Sequence, residues 1–212
     1  MPLYQYRKGE HERTLMFIHV PKTGGTAIET FFRGIGFTGY FDPPTYMPVR
    51  PYLRVPPAHY DYGALNRLFN LDALYSFAVV RQPVKRMISE YKWAIEKSSS
   101  AEAMARMDFG QYLRFMLDNY RRDENVAAGH FKPQVRFVGE KVRKIFKYEA
   151  GLDNIIRNVL RDVGLNHENL PPLPSVNSSS STRAIVPSES DIALIHQFYA
   201  EDFTAFGYDA AS

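Results

Sequence analysis

The sequence predicts an α/β fold in which a central parallel sheet is flanked by helices. Two short apolar runs, at residues 15–20 and 75–80, and a third strand candidate at residues 144–148 are each followed by a segment with apolar residues at helical spacing. A nearly continuous apolar run is typical of a strand that is buried on both faces. Repeated alternation of such strands with helices produces a parallel sheet covered by helices.

The first predicted strand is joined to its helix by a glycine turn. Residues 15–20 are followed by the turn sequence Pro21-Lys22-Thr23-Gly24-Gly25-Thr26. Apolar residues then recur at the i, i+3, i+4, i+7 spacing of a helix, at Ile28, Phe31, Phe32 and Ile35. We expect Gly36 to end this helix.

The second and third predicted strands are also followed by helices. Residues 75–80 lead into Arg81-Gln82-Pro83, and Pro83 suits the first turn of a helix. The apolar stripe of that helix consists of Val84, Met87, Ile88, Tyr91 and Ile95. Residues 144–148 precede a helix whose apolar positions are Leu152, Ile155, Ile156, Val159, Leu160 and Val163.

Two further helices are predicted from their capping residues. Asp108 can cap a helix over residues 109–120. Ser188, with Asp191 three residues later, resembles a capping box that opens one helix ending at Gly207.

Two loops and the domain organisation follow from composition. Residues 43–57 are rich in proline and predict an irregular loop over the sheet, while the serine-rich residues 171–181 predict a flexible loop. The chain contains no internal repeat and no linker, so we expect a single domain over residues 1–212.

Composition excludes several classes of protein. The chain has 212 residues, of which 45% are hydrophobic and 23% charged, so it is neither disordered nor fibrous. The absence of cysteine excludes disulfides, thiolate zinc sites, iron–sulfur clusters and cysteine nucleophiles. A net charge of +3 argues against a general nucleic-acid coat. No apolar run reaches the length of about 18 residues that a membrane span needs.

The glycine turn has the composition of a phosphate site. A glycine turn between a buried strand and a helix gathers backbone N–H groups near the positive end of the helix dipole. Thr23 and Thr26 would add hydroxyl donors, and Lys22 a mobile cation. The Gly-x-x-x-x-Gly-Lys-Ser/Thr pattern of nucleotide hydrolases is absent, because the lysine precedes the glycines here. The alternative interpretation is a tight turn with a surface lysine.

Arg81 and Ser89 are candidate partners of the same anion. Arg81 lies where the second strand ends, at the edge where open parallel sheets bind ligands. Ser89 lies off the apolar stripe of its helix and faces solvent or a ligand. The alternatives are a structural salt bridge for Arg81 and a solvated position for Ser89.

Both motifs resemble those of sulfotransferases that use 3′-phosphoadenosine-5′-phosphosulfate (PAPS). Residues 17–26 (Phe-Ile-His-Val-Pro-Lys-Thr-Gly-Gly-Thr) resemble the loop that holds the 5′-phosphosulfate, and residues 80–91 resemble the 3′-phosphate motif. The branch that is most similar is the carbohydrate type, which includes heparan sulfate 2-O-sulfotransferase. The likeness runs from about Leu15 to Tyr208, the expected core of the domain. Gln82 stands where the family more often has aspartate.

The resemblance implies a three-layer P-loop-type sulfotransferase fold and a PAPS-dependent reaction. A sulfuryl group would move to an acceptor hydroxyl, most simply that of a saccharide, and adenosine 3′,5′-bisphosphate would be released without a metal ion. Lys22 would act on the leaving group, and Arg183 would fold over the nucleotide. The implied cofactor-binding residues are Lys22, Thr23, Gly24, Gly25, Thr26, Ala27, Arg81, Ser89 and Arg183.

Among six histidines, His59 lies where the resemblance places the catalytic base. An unperturbed histidine titrates near pH ~6.5, which suits accepting a proton from a hydroxyl. A surface loop histidine is the alternative, and His130 or Asp61 could take the proton instead. The basic residues 132–147 surround one acid, Glu140, and most simply form a solvated face or, alternatively, attract an acidic glycan.

Two other functions remain open from the sequence. One is an ATP-dependent kinase of P-loop type, and the other is a non-catalytic module that binds a nucleotide or glycan. The resemblance and the lack of cysteine and of an apolar leader favour a cytoplasmic enzyme of bacterial type. The sequence leaves the acceptor and the oligomeric state open.

Overall fold

A computed structural model describes residues 3–8, 11–42, 44, 47–166, 168–174 and 184–209 of the chain. Its centre is a five-stranded mixed sheet in the order β3-β1-β2-β4-β5. The strands are Leu3–Lys8 (β1), His11–Ile18 (β2), Phe37–Tyr40 (β3), Tyr75–Val80 (β4) and Lys144–Lys147 (β5).

The three strands predicted from the sequence form the parallel part of the sheet. β2 pairs with β4 in parallel, with Phe17 opposite Phe77, and β4 pairs with β5, with Val79 opposite Phe146. The carboxyl ends of β2 and β4 therefore lie side by side, and the segments that follow them, with Lys22 and Arg81, meet at one edge.

The expectation of an entirely parallel sheet is wrong for the other part. β1 pairs antiparallel with both β2 and β3. Two residues separate β1 from β2, which suffices for a hairpin but not for the crossover that a parallel pair requires. The polar residues Gln5 and Arg7 interrupt β1, so it carries no apolar run that sequence analysis could detect.

The helices follow the strands largely as predicted. Their bounds are Gly25–Gly34 (α1), Tyr62–Leu68 (α2), Pro83–Lys97 (α3), Ala101–Ala105 (α4), Phe109–Arg122 (α5), Val126–Gly129 (α6), Leu152–Asp162 (α7), Glu189–Phe198 (α8) and Ala200–Phe206 (α9). The Asp108 cap and the Ser188 capping box are both confirmed, and Asp108 also forms a capping box with Gln111. The single helix predicted up to Gly207 is wrong, because it breaks at Tyr199 into α8 and α9.

The predicted loops contain some local order. The proline-rich loop includes two 3₁₀ turns, at Met47–Tyr52 and Pro57–His59. Residues 171–174 of the serine-rich loop have no regular secondary structure, and residues 175–181 lie outside the described residues.

Apolar packing covers both sides of the sheet. Leu15 and Phe17 of β2 pack with α1 and α7, whereas Met16 and Ile18 pack on the opposite side with Leu65 of α2. A separate apolar cluster joins α3, α5, α8 and α9. None of the helices in the described part of the chain has the length and apolar character needed to cross a membrane.

Candidate active site

A cleft of about 660 Å³ opens where β2 and β4 end. The glycine turn forms one side of it and α3 forms another. Its lining includes residues from both predicted motifs together with His59, namely Lys22, Gly24, Gly25, Thr26, Ala27, Arg81 and Ser89. The sequence-predicted motifs are therefore brought together in one place.

The glycine turn has the backbone of an anion site. Lys22 and Gly24 have φ values of 71° and 84°, in the left-handed region. The N–H of Ala27 donates to the Gly24 carbonyl at 3.0 Å, but helix geometry leaves the N–H groups of Gly25 and Thr26 without an intrahelical acceptor. These donors and the helix dipole favour negative charge in the cleft.

Both glycines are required by close approaches. An ideal Cβ on Gly25 would lie 2.1 Å from Nε2 of His19, so the imidazole occupies the space of a side chain. A Cβ on Gly24 would lie 2.7 Å from Leu152, and its positive φ is unfavourable for other residues. The turn is therefore packed too tightly for side chains at either position.

The structure does not bring the Thr23 hydroxyl into the cleft. Thr23 is fully buried, and its Oγ1 donates to the Val20 carbonyl at 2.8 Å. Threonine hydroxyls readily bond to a nearby backbone carbonyl in this way, so the expectation of a hydroxyl donor for the ligand is wrong for this residue. Thr26 is partly buried and does line the cleft.

Lys22 is a partly buried cation rather than a surface lysine. Its Nζ lies 5.2 Å from the ring centroid of Trp93, the sole tryptophan of the chain. Burial lowers the pKa of Lys22 from 10.5 to about 8, although the carboxylate of Glu90 opposes this shift. The nearby charges of Arg81 and Lys97 lower the pKa further. The ammonium still predominates at pH 7.

Arg81 is held in place mainly through uncharged groups. Its guanidinium lies 4.4 Å from the Tyr148 ring centroid and donates from one terminal nitrogen to the Lys22 carbonyl at 3.2 Å. Its Nε is buried and has no partner among the described residues. The salt bridge considered as an alternative is not formed within the described part of the chain, which leaves this cation available to an anion.

A buried amide fixes the backbone of Arg81. Oε1 of Gln134 accepts from the Arg81 N–H, and Nε2 of Gln134 donates to the Arg81 carbonyl, both at 2.8 Å. The carboxylate of Asp202 accepts from the N–H groups of Gln134 and Val135, both at 2.9 Å. The end of β4 is therefore connected to α9 by hydrogen bonds through the segment that contains Gln134 and Val135.

One face of α3 lines the cleft. Ser89 is partly buried there rather than solvated, with Lys85 and Lys92 one turn away on either side. Trp93 lines the same face. Sequence analysis missed these three neighbours of Ser89, although their i−4, i+3 and i+4 spacing from it is a signal that could have found them.

His59 lies in the cleft between two other histidines. Its Nδ1 is 3.0 Å from the Ala128 carbonyl, which only accepts, so Nδ1 carries the proton and Nε2 is an acceptor. The rings of His19 and His130 lie 5.1 and 4.9 Å away between centroids. Burial, with the charges of His130 and His19, lowers the pKa of His59 well below 6.5. The alternative of a surface histidine is therefore wrong.

The two flanking histidines are each paired with a buried glutamate. Nδ1 of His19 lies 2.7 Å from Glu29, and Nδ1 of His130 lies 2.8 Å from Glu90. Both histidines line the cleft, which sequence analysis did not resolve because their positions depend on tertiary packing.

The remaining candidates have other roles or positions. Asp61 accepts from Ala64 at the start of α2 and pairs with Lys132 at 2.7 Å. Burial would raise the pKa of Asp61, but these bonds and the charge of Lys132 hold it below its ordinary value, which makes it a poor base. Lys132 is buried, so the basic segment is not a uniformly solvated face. Arg183 lies outside the described residues. Within the described ranges, no cluster of His, Asp or Glu could hold a metal ion.

Comparison with known proteins assigns a family to this fold and cleft. A family model described as the sulfotransferase family matches residues 8–209, which is most of the chain. No curated protein and no solved structure matches the chain significantly.

Proposed function

The chain belongs to the sulfotransferase family, whose enzymes transfer sulfate to a hydroxyl-bearing acceptor, and we propose that its donor is PAPS and its acceptor a saccharide. The single observation that carries this proposal is the meeting of the glycine turn, Arg81 and Ser89 in one cleft. The saccharide rests on the resemblance to the carbohydrate branch.

Two groups of residues would bind the nucleotide of PAPS. The N–H groups at the start of α1 would hold the 5′-phosphate, since they have no intrahelical acceptor. Arg81 and Ser89 would hold the ribose 3′-phosphate. The Nε of this guanidinium has no partner in the part of the chain that the structure describes, and a charge-assisted hydrogen bond to phosphate is roughly twice as strong as a neutral one.

Lys22 would act on the leaving group. In an in-line displacement, negative charge grows on the oxygen that bridges sulfur and the 5′-phosphate as the S–O bond breaks. The ammonium of Lys22, buried in the cleft, would neutralise that charge where water screens it least.

His59 would accept the proton of the acceptor hydroxyl. Its Nε2 has a free lone pair, because the bond to Ala128 fixes the proton on Nδ1. As the acceptor oxygen bonds to sulfur, its proton would pass to this nitrogen. The depressed pKa of His59 keeps the ring neutral, and so able to accept, throughout the neutral range.

The decisive experiment follows a labelled sulfuryl group from PAPS into pools of glycans, phenols, lipids and peptides. We expect label in the glycan pool, and a loss of about 10²-fold or more in kcat for Lys22→Ala. Lys92→Ala, on the same cleft, is the matched control for removing one cation. Label in another pool instead would refute the proposal that the acceptor is a saccharide.

The fluorescence of Trp93 provides a separate test of the donor. We expect adenosine 3′,5′-bisphosphate to bind more tightly than AMP, and Arg81→Ala to remove most of that difference, worth roughly 1.5–3 kcal/mol. Equal affinity for the two nucleotides would refute PAPS as the donor.

A further inference from the structure

Glu90 is a buried carboxylate that the reaction proposed above does not use. It follows Ser89 on α3, and only 1% of its surface is exposed. Its Oε2 lies 2.8 Å from Nδ1 of His130, and its Oε1 accepts from the Tyr112 hydroxyl at 3.5 Å. A buried charge is costly unless it is paired, so its position beside the cleft calls for a physical reason.

Glu90 shares its surroundings with Lys22. Trp93 lies three residues after Glu90, on the same side of α3. The indole contacts both Nζ of Lys22, at 5.2 Å, and the ring of His130, at 5.2 Å. Glu90, His130, Trp93 and Lys22 therefore form one cluster at the point where the leaving group would lie.

We propose that Glu90 is a positioning residue whose buried carboxylate keeps Lys22 charged for the leaving group. The proposal deepens the role given to Lys22 above and rests on it. Glu90 touches neither donor nor acceptor in this scheme, so it acts through Lys22 and through the orientation of His130.

The charged groups around Lys22 and Glu90 indicate how each of these two residues affects the protonation of the other. Lys22 faces the acids Glu90 and Glu96 and the cations Arg81 and Lys97, and Glu90 is the larger acidic influence. Glu90 faces His130, Lys22 and Arg86, besides the hydroxyl of Tyr112. Burial would raise the pKa of Glu90, but its interaction and hydrogen bond with His130 and the charges of Lys22 and Arg86 outweigh burial and hold this pKa below its ordinary value. Without the Glu90 carboxylate, burial and the charges of Arg81 and Lys97 would still lower the pKa of Lys22, and among these groups only Glu96 would raise it.

The test measures the charge of Lys22 without using the reaction. Trace acetic anhydride acetylates only the neutral amine, so the acetylation of Lys22, followed by mass spectrometry across pH, gives its midpoint of protonation. We expect a midpoint near 8 in the unaltered protein. In Glu90→Gln we expect it to fall by roughly one pH unit, because a nearby opposite charge shifts a buried amine by about that much.

Two further variants keep the test decisive. Tyr112→Phe removes another partner of Glu90 without changing its charge and should leave the midpoint of Lys22 in place. Glu90→Asp keeps the negative charge but moves it away by one methylene, so its midpoint should lie between those of the unaltered protein and Glu90→Gln. If Glu90→Gln does not fold, the comparison of Glu90→Asp with the unaltered protein takes its place. A midpoint that stays near 8 in the folded Glu90 variants would overturn the proposal.

The same variants separate this inference from the proposed reaction. Lys22 acts in its charged form, so a lower midpoint should move the alkaline limb of sulfuryl transfer to lower pH by the same amount. A midpoint that falls while the alkaline limb stays in place would support the role of Glu90 and refute that of Lys22 in the reaction.

Discussion

The imidazole of His59 is positioned by an unusual stretch of backbone. Ala127, Ala128 and Gly129 have consecutive positive φ values of 48°, 57° and 81°, so the short element α6 is a left-handed turn rather than a regular α-helix. A left-handed conformation costs an alanine roughly 1–2 kcal/mol, so packing must maintain it. The result is that the Ala128 carbonyl meets Nδ1 of His59 and fixes the tautomer that leaves Nε2 able to accept a proton.

His59→Ala should therefore lower kcat without weakening nucleotide binding. We expect a loss of about 10²–10⁴-fold, the usual value of general-base assistance. In the unaltered enzyme the acid limb of the pH–rate profile should lie well below pH 6.5, because a base with a depressed pKa stays neutral to lower pH. His196→Ala, in α8 and outside the cleft lining, is the control. A His59→Ala enzyme with normal kcat and the same acid limb would assign the proton to another group.

Gly25 and Gly34 form a matched pair at the two ends of α1. Gly25→Ala would place a methyl group 2.1 Å from the His19 ring, whereas Gly34→Ala meets nothing within 4 Å. We expect Gly25→Ala to lose about 1–3 kcal/mol of unfolding free energy and much of its affinity for the bisphosphate. Gly34→Ala should gain roughly 0.5–1 kcal/mol and bind normally. Urea unfolding and Trp93 fluorescence measure both, and equal effects would contradict the role of Gly25.

At the level of elements, the end of β4 depends on a segment distant in sequence. The Gln134 amide closes both hydrogen bonds to the Arg81 backbone, and Asp202 of α9 holds the backbone of Gln134 and Val135. Neither residue lines the cleft. Their effect on a ligand must pass through the orientation of Arg81.

Gln134→Ala should reduce the preference for adenosine 3′,5′-bisphosphate over AMP by about tenfold. The partly buried N–H and carbonyl of Arg81 would lose their partners, at up to about 1–3 kcal/mol each, and the side chain would move. A general loss of stability would weaken both nucleotides alike, so the ratio of their affinities isolates Arg81. Gln111→Ala, which removes an exposed capping bond of α5, should leave the ratio unchanged. The same unchanged ratio in Gln134→Ala would contradict this linkage.

Apolar runs and caps predicted most elements, but tertiary pairing determined the rest. β2 and β4 carry apolar runs because they lie in the interior of the sheet, covered on both faces, whereas β5, at the edge, is largely exposed and was marked mainly by the helix that follows it. β1 and β3 lie on one side of that part, where β1 alternates aromatic with polar residues and β3 reads Phe-Thr-Gly-Tyr, so no apolar run marked either strand. The break at Tyr199 has no proline or glycine to signal it. It accompanies a buried hydroxyl that donates to the Phe131 carbonyl at 3.0 Å.

At the scale of the whole molecule, the two sequence motifs predicted where the site lies, because they follow β2 and β4 and the carboxyl ends of parallel strands meet at one edge of the sheet. This rule predicts that Lys22 and Arg81 lie close together, although they are far apart in the sequence. Trp93, Gln134 and His19 escaped prediction because each reaches the cleft or its support through contacts between elements. His59 was placed by resemblance, and its depressed pKa follows only from the burial that the structure shows.

The charge of the whole chain also points to this cleft. The net charge is +3, yet the cleft lining contains five lysines and arginines and one glutamate, namely Lys22, Arg81, Lys85, Lys92, Lys97 and Glu96. A pocket with an excess of one charge attracts ligands of the other, and the attraction falls as salt rises. We therefore expect nucleotide binding to stabilise the entire fold and to weaken with ionic strength.

Adenosine 3′,5′-bisphosphate at about 100 times its Kd should add roughly 2.7 kcal/mol to the free energy of unfolding, without any divalent cation. For a chain of 212 residues this corresponds to a rise in Tm of about 5–10 °C. ATP with Mg²⁺ at the same concentration should raise Tm much less, because it has no 3′-phosphate for Arg81 and Ser89, and the turn lacks the lysine–hydroxyl pair that binds Mg²⁺–ATP. Differential scanning calorimetry at low and high salt measures all of these shifts. An equal or larger rise with Mg²⁺–ATP would favour a kinase over a sulfotransferase that uses PAPS.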